Sequence, residues 1–177
     1  MRDDSDEDRF VTAGQVAAYG MFVGSPSVEE LERFFLDDDD RELVAKRRGD
    51  GNRLGFSLQL TTVRFLGTFL NDPTDVPSAV LGFVADQLGI ADPSCVKTYM
   101  TREMTRFEHR WEIGEAGGWR DFAEVADELS RWIDRRAWTT GDGPKAIFDG
   151  ALGWLRQRQV LLPALDSLTP AAGPGPR

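Results

Sequence analysis

The sequence predicts an all-α protein, a compact bundle of seven to nine helices arranged as two helix-turn-helix-like sub-bundles. Three observations predict this class. Apolar side chains recur at helical spacing in several segments, capping residues stand where those segments begin, and glycine or proline separates them. The hydrophobic share of 41% and charged share of 29% are typical of a soluble globular protein.

The first predicted helices begin at capping boxes, which are Thr12-x-x-Gln15 and Ser27-x-x-Glu30. The second box opens a helix with one apolar face, made of Val28, Leu31, Phe34 and Phe35. The acidic run Asp37–Asp40 is expected to end that helix and to favour the start of the next one, near residues 41–48. Gly49-Asp50-Gly51 then predicts a tight turn.

The pattern of Asn52–Leu66 fits two structures. Apolar residues alternate with small or polar ones as in a strand, at Leu54, Phe56, Leu58 and Leu60. Wound as a helix, the segment would be buried on two sides and would carry one polar strip, made of Arg53, Ser57, Thr61 and Arg64. The pattern alone does not distinguish a strand from a helix in this segment.

The second half of the chain repeats the helical signals. After a loop at 67–77, a helix stopped by Gly89 places four residues inward, namely Val80, Leu81, Val84 and Leu88. Asp92-Pro93 predicts an N-cap followed by proline in the first helical position. Apolar residues then recur at helical spacing, at Met100, Met104, Phe107 and Trp111. Arginines form a separate stripe of the same helix, at Arg102, Arg106 and Arg110.

Two further helices complete the bundle. After the break at Gly117-Gly118, the most clearly amphipathic helix has its apolar face at Phe122, Val125, Leu129, Trp132 and Ile133. Pro144 opens the last helix, whose apolar side is Ile147, Phe148, Ala151, Leu152 and Leu155. We therefore expect an acidic disordered tail at 1–10, helical sub-bundles at 11–90 and 91–166, and a Pro/Gly-rich disordered tail at 167–177.

Charge is distributed unevenly along the chain. The net charge of −9 argues against nucleic acid when the chain is taken whole. Residues 1–40, however, hold 3 basic and 12 acidic groups, whereas residues 41–66 hold 6 basic and 2 acidic groups. No apolar run is long enough to span a membrane, and the acidic start is unlike a secretory signal, so we expect a cytoplasmic protein.

No pattern of residues predicts catalysis, a metal or another cofactor. The single cysteine, Cys95, excludes an internal disulfide, and the single histidine, His109, has neither zincin spacing nor a cysteine partner. A catalytic site needs convergent groups, such as a nucleophile with a base or two or three carboxylates on rigid elements. We predict no catalytic residue, no cofactor and no small-molecule substrate.

The basic island at 41–66 is the most informative local feature. It places arginines, which suit phosphates and guanine edges, beside a glycine turn between two predicted helices, the outline of a helix-turn-helix motif. The candidate contacts are Lys46, Arg47, Arg48, Arg53 and Arg64, with the amides Asn52 and Gln59 for adenine. A second contact surface would use Arg102, Thr105, Arg106 and His109. A solvated charged face would explain the same pattern without any binding.

Several motifs resemble one family in the right order. RRGDGNRLGFSLQLTTVRFLGTFL from Arg47 to Leu70, Asp72–Pro77, QLGIADPS at 87–94 and TREMTRFEHRWEI at 101–113 resemble the N-terminal region of the Tn3-family replicative transposases. Asp121-Phe122, RAW at 136–138 and FDGALGWLRQRQVLLP at 148–163 extend the resemblance over roughly residues 11–166. It implies an all-helical fold and so favours helix for Asn52–Leu66.

The resemblance also implies a function. In that family the N-terminal region recognises the terminal inverted repeats of the transposon, and strand transfer belongs to a later RNase H-like domain. We therefore expect a non-catalytic module that binds double-stranded DNA, encoded by a truncated transposase gene, and that could form a homodimer. The alternative is a helical protein-interaction module, or an inert remnant that does not bind DNA.

Overall fold

The computed structural model describes residues 19–163, and over this range the protein is all-α, as predicted. The α-helices are α1 (Val28–Leu31), α2 (Asp38–Ala45), α3 (Asp50–Leu66), α4 (Ser78–Gln87), α5 (Glu103–Gly117), α6 (Ala126–Thr139) and α7 (Pro144–Gln157). Short 3₁₀ helices lie at Glu32–Phe34, Pro93–Thr101 and Phe122–Glu124. The two predicted tails and the Thr12-x-x-Gln15 box fall outside the described residues.

The chain divides into two compact units, and the division differs from the predicted boundary after residue 90. The larger unit is Gly20–Trp119, and the smaller one contains Tyr19 and residues 120–163 of the described chain. Residues 93–117 stay with the larger unit because the 3₁₀ helix Pro93–Thr101 packs directly on α3. A Cβ atom on Gly55 would stand 2.2 Å from the Tyr99 ring, so the bare glycine is what permits this close approach.

Helix starts follow the capping signals. Ser27 and Glu30 form the predicted capping box at α1. A second box joins Asp37 and Asp40, so α2 begins at Asp38 rather than near residue 41. The apolar face predicted for the first helix is only partly buried, because α1 ends after one turn and leaves Val28 exposed.

Helix α3 is the centre of the larger unit. It is buried on nearly every side, including its polar strip, where Ser57 and Thr61 are fully buried. Their hydroxyls donate to the carbonyl oxygens of Arg53 and Ser57 at 2.8 Å, which satisfies them inside the core. The strand-like alternation therefore belongs to a helix that is buried along most of its length.

Helix α5 turns its apolar stripe outward. Met104, Phe107 and Trp111 are 72%, 54% and 70% exposed, whereas the buried residues of α5 are His109 and Ile113. The side of α5 that faces the core thus carries a polar residue that the sequence pattern placed at the surface.

The smaller unit is a helical hairpin of α6 and α7. Its core is the cluster Val125, Leu129, Ala151, Trp154, Leu155, Val160 and Leu162. The Tyr19 hydroxyl donates to the carbonyl oxygen of Pro163 at 2.6 Å. An isolated parallel bridge joins Arg120 to Val160 and ties the start of this unit to its end.

Candidate nucleic-acid interface

Three predicted contact residues meet in one surface pocket of the larger unit. Its volume is about 420 Å³, and its lining residues are Arg48, Gly49, Gly51, Asn52, Thr98, Thr101 and Arg102. They come from the α2–α3 turn, the first turn of α3 and the end of the 3₁₀ helix before α5. We call this the α3 pocket. Arg48 and Arg102 are far apart in sequence, so only the fold brings their guanidinium groups to the same concavity.

Glycines shape the α3 pocket. Gly49 has φ of 82°, which lets the chain turn sharply from α2 into α3. A Cβ atom on Gly51 would stand 2.6 Å from the carbonyl oxygen of Cys95, so a bare glycine allows the 3₁₀ helix to lie against the first turn of α3. The pocket forms where these two segments meet.

The α3 pocket is suited to an anion. It lies at the N-terminus of a 17-residue helix, and no side chain caps that end. The first-turn amides of a helix have no intrahelical acceptor and carry partial positive charge. Within the described chain, the guanidinium groups of Arg48 and Arg102 are exposed and form no ion pair or hydrogen bond.

The other residues at this end of α3 are partly engaged. The side-chain amide of Asn52 donates to the carbonyl oxygen of Arg48 at 2.9 Å, which orders the turn. Arg53 pairs with Asp50 at 3.2 Å and donates to the carbonyl oxygen of Leu88 at 3.5 Å. Lys46 follows α2 and is exposed.

Gln59 and His109 are corrections to the predicted contact set, because both are buried inside the larger unit. The Gln59 amide nitrogen donates to the Tyr99 hydroxyl at 2.5 Å, and the Tyr99 oxygen lies 2.8 Å from Nδ1 of His109. Arg110 completes the network through its Nε, which donates to the Gln59 amide oxygen at 3.1 Å. A base edge cannot reach either group while this core is packed.

Burial sets the protonation states of this network. Desolvation, with a smaller effect of the nearby Arg47 charge, lowers the pKa of His109 to about 4, so the imidazole is neutral at pH 7. Desolvation also raises the pKa of Tyr99 to about 12. Since the Tyr99 oxygen accepts from Gln59, we assign the Tyr99 hydroxyl as the donor to Nδ1 of His109 and place the ring proton on Nε2.

Arg47 and Arg64 are bound within the protein. Arg47 pairs with Glu112 at 2.6 Å, and its guanidinium lies 4.6 Å from the centre of the Phe56 ring. Both terminal nitrogens of Arg64 contact the carboxylate of the buried Asp40, one of them at 2.7 Å. That hydrogen bond raises the pKa of Arg64. A phosphate contact by either residue would compete with these pairs.

The predicted second surface is only partly assembled. Thr105 and Arg106 are half-buried on α5, and Arg106 contacts the Met100 sulfur at 3.8 Å. Arg102 instead joins the α3 pocket. Sequence reasoning missed Thr98 and Thr101 as pocket residues, and the glycine turn at 49–51 was the local signal of a concave site.

Neither a metal-binding cluster nor a membrane-spanning helix is found in the described residues. Within residues 19–163, no three His, Cys, Asp or Glu side chains are grouped so that they could hold a metal ion. No helix of that part of the chain is long and apolar enough to cross a membrane.

The fold and the pocket together define an all-helical domain with an arginine- and amide-lined surface site. The chain belongs to the family described as a domain of unknown function, DUF4158, whose model matches residues 10–173. This match covers nearly the whole sequence and confirms the resemblance to the N-terminal region of Tn3-family transposases.

Three relatives illustrate the similarity. The transposase for transposon gamma-delta of Escherichia coli K12 is 42% identical over 162 residues, which are 90% of this chain and 16% of that protein. The transposase for transposon Tn501 of Pseudomonas aeruginosa is 34% identical, over 79% of this chain and 14% of that protein. The transposase for transposon Tn1546 of Enterococcus faecium is 29% identical, over 76% and 14%. The chain therefore spans only a small fraction of the length of these relatives.

Proposed function

We propose that this chain is a DNA-recognition module that binds the terminal inverted repeats of a transposon through the α3 pocket, and that it takes no chemical part in strand transfer. The observation that carries the proposal is the convergence of Arg48, Asn52 and Arg102 on one concave site at a helix N-terminus. The relatives are named as transposases, proteins that work on DNA, which supports this choice of anion.

The α3 pocket offers two kinds of contact. Arg48 and Arg102 would hold phosphates, because a guanidinium gives paired donors that match phosphate oxygens. Asn52 would contact adenine after releasing its bond to the Arg48 carbonyl, since an amide can pair with both N6 and N7 of that base. Only the first turn of α3 would approach the groove. That matches helix-turn-helix proteins, which use N-terminal residues of the recognition helix.

Binding to duplex DNA tests this proposal. Fluorescence anisotropy would measure the affinity of the full chain for a labelled duplex carrying the terminal repeat of transposon gamma-delta, and for a shuffled duplex of the same composition. We expect tighter binding to the repeat and a steep salt dependence. The double variant Arg48→Gln/Arg102→Gln should flatten the log–log salt slope by about 1–2 units, since each lost phosphate contact removes about 0.9.

A matched control removes two other positive charges. Arg33 lies over the Phe65 ring and Arg120 pairs with Glu124, so Arg33→Gln/Arg120→Gln changes net charge equally without touching the α3 pocket. This control should keep most of the slope. Equal slopes for the two double variants, or no binding by the wild type at low salt, would overturn the proposal.

A second candidate function is protein interaction. The exposed stripe Met104, Phe107 and Trp111 on α5 favours it, because adjacent large apolar side chains at the surface often mark a contact site. The expected partner is a second copy of the chain. The mass measured by size-exclusion light scattering, with and without the duplex, distinguishes the two functions. A concentration-dependent dimer whose mass does not change when the duplex is added favours protein interaction.

A further inference from the structure

The smaller unit carries its own group of arginines on the α6–α7 hairpin. They surround a surface pocket of about 190 Å³ lined by Glu128, Arg131, Trp132, Arg135, Trp154 and Arg158. We call it the hairpin pocket. Residues 120–163 contain seven basic and seven acidic groups, yet three arginines and one glutamate line this pocket. Residues 120–163 are therefore neutral overall, while the lining of this pocket is positive.

Two of these arginines are free to bind an anion. Arg131 and Arg135 stand one turn apart on α6 and are exposed. Among the described residues, the ion pairs of this unit use Arg120, Arg136 and Arg158 instead. Arg131 only donates through Nε to the carbonyl oxygen of Asp127 at 3.1 Å, which leaves its terminal nitrogens available.

The third arginine is held in position by an aromatic ring. The Arg158 guanidinium lies 4.0 Å from the centre of the buried Trp154 ring, and its distance to Glu128 is 3.8 Å, a loose pair. Stacking fixes the plane of a guanidinium while its N–H edge stays available, so less side-chain entropy is lost on binding. Preorganised arginines around a depression are a suitable site for a phosphate.

The size of the pocket favours a phosphate of a polymer over a small molecule. Ligand pockets usually enclose about 300–1,000 Å³, whereas this depression is smaller and lies at the surface. We propose that the hairpin pocket grips the backbone of the same DNA duplex, so that the chain has two separate phosphate-binding sites, one on each unit. This inference rests on the proposed function of the α3 pocket.

The first test removes the two free arginines. In the full chain, Arg131→Gln/Arg135→Gln should flatten the salt slope for the gamma-delta repeat duplex by about 1–2 units relative to the Arg33→Gln/Arg120→Gln control. Hydroxyl-radical footprinting should show lost protection at sugars different from those lost in Arg48→Gln/Arg102→Gln. An unchanged slope, or loss of the same sugars in both variants, would overturn the inference.

The second test predicts a gain of binding, which a folding defect cannot imitate. Glu128 is the one acidic residue that lines the hairpin pocket, and its charge has the same sign as the DNA phosphates. Because Glu128→Gln removes that repulsion, the variant should bind the duplex about two- to fivefold more tightly at low salt. Unchanged or weaker binding would contradict the inference. If only the α3 pocket variant weakens binding, the inference fails while the proposed function survives; if the wild type binds no duplex, both fail.

Discussion

His109 makes the stability of the larger unit depend on pH in a calculable way. The residue is 5% exposed, and its Nδ1 lies 2.8 Å from the Tyr99 hydroxyl oxygen. Two charges act on it: Arg47 disfavours a second positive charge, and Glu112 opposes that effect to a smaller extent. Burial is the dominant cause of the lowered pKa of about 4.

The magnitude follows from linkage. An unfolded histidine has a pKa of about 6.5, so between pH 6.5 and 4 the unfolded chain binds a proton that the folded chain does not. The contribution of neutral His109 is therefore complete above about pH 6.5 and is lost as pH falls toward 4. Between about pH 7.5 and pH 5 the loss amounts to about 2 kcal/mol of unfolding free energy.

Urea unfolding of the wild type and His109→Asn at both pH values would measure this effect. Asparagine can accept the Tyr99 hydrogen bond through its side-chain oxygen and does not titrate. The free-energy difference between wild type and variant should shrink by about 2 kcal/mol from pH 7.5 to pH 5. Protonation of carboxylates elsewhere changes the unfolding free energy of both proteins equally, so it cancels in this difference. A difference that is constant with pH would refute the burial of a neutral imidazole.

Two further pairs of substitutions probe the packing of the larger unit. Gly55→Ala should lower the unfolding free energy by about 1–3 kcal/mol, because its Cβ would collide with the Tyr99 ring. Gly82→Ala on α4, where a Cβ meets nothing within 4 Å, should instead stabilise by about 0.5–1 kcal/mol. Asp40→Asn should cost about 1–3 kcal/mol by leaving Arg64 without its carboxylate, a value reduced because Arg64 is 39% exposed. Asp39→Asn, on the exposed side of the same turn, should change little, and equal melting curves for the two aspartate variants would contradict the role of the buried pair.

Local signals in the sequence were enough for most of the fold. The capping residue Ser27, the proline at position 144 and the glycine stop at 89 each act within a few residues, so they locate helix ends without tertiary information. Helix α3 was not determined by its pattern. It is buried on nearly every side, so apolar residues stand all around it and the helical period of its apolar residues is weak.

The candidate site was less predictable than the helix ends, because its residues come together only through long-range packing. Arg48 and Asn52 were found because they lie in one short basic island, but their meeting with Arg102 depends on the close approach of the 3₁₀ helix to α3 at Gly51. Gln59 looked like a surface amide because its buried partner, Tyr99, is distant in sequence. Sequence reports residue chemistry, whereas exposure depends on long-range packing.

Chemical-shift mapping on the full isotope-labelled chain tests the central claim most directly. Titration with the gamma-delta repeat duplex reports which backbone amides sense bound DNA, residue by residue. We expect the largest shifts at residues 48–52 and 98–102, around the α3 pocket. Saturating binding with those amides unchanged, and shifts confined to the outer face of α5, would contradict DNA binding through the α3 pocket.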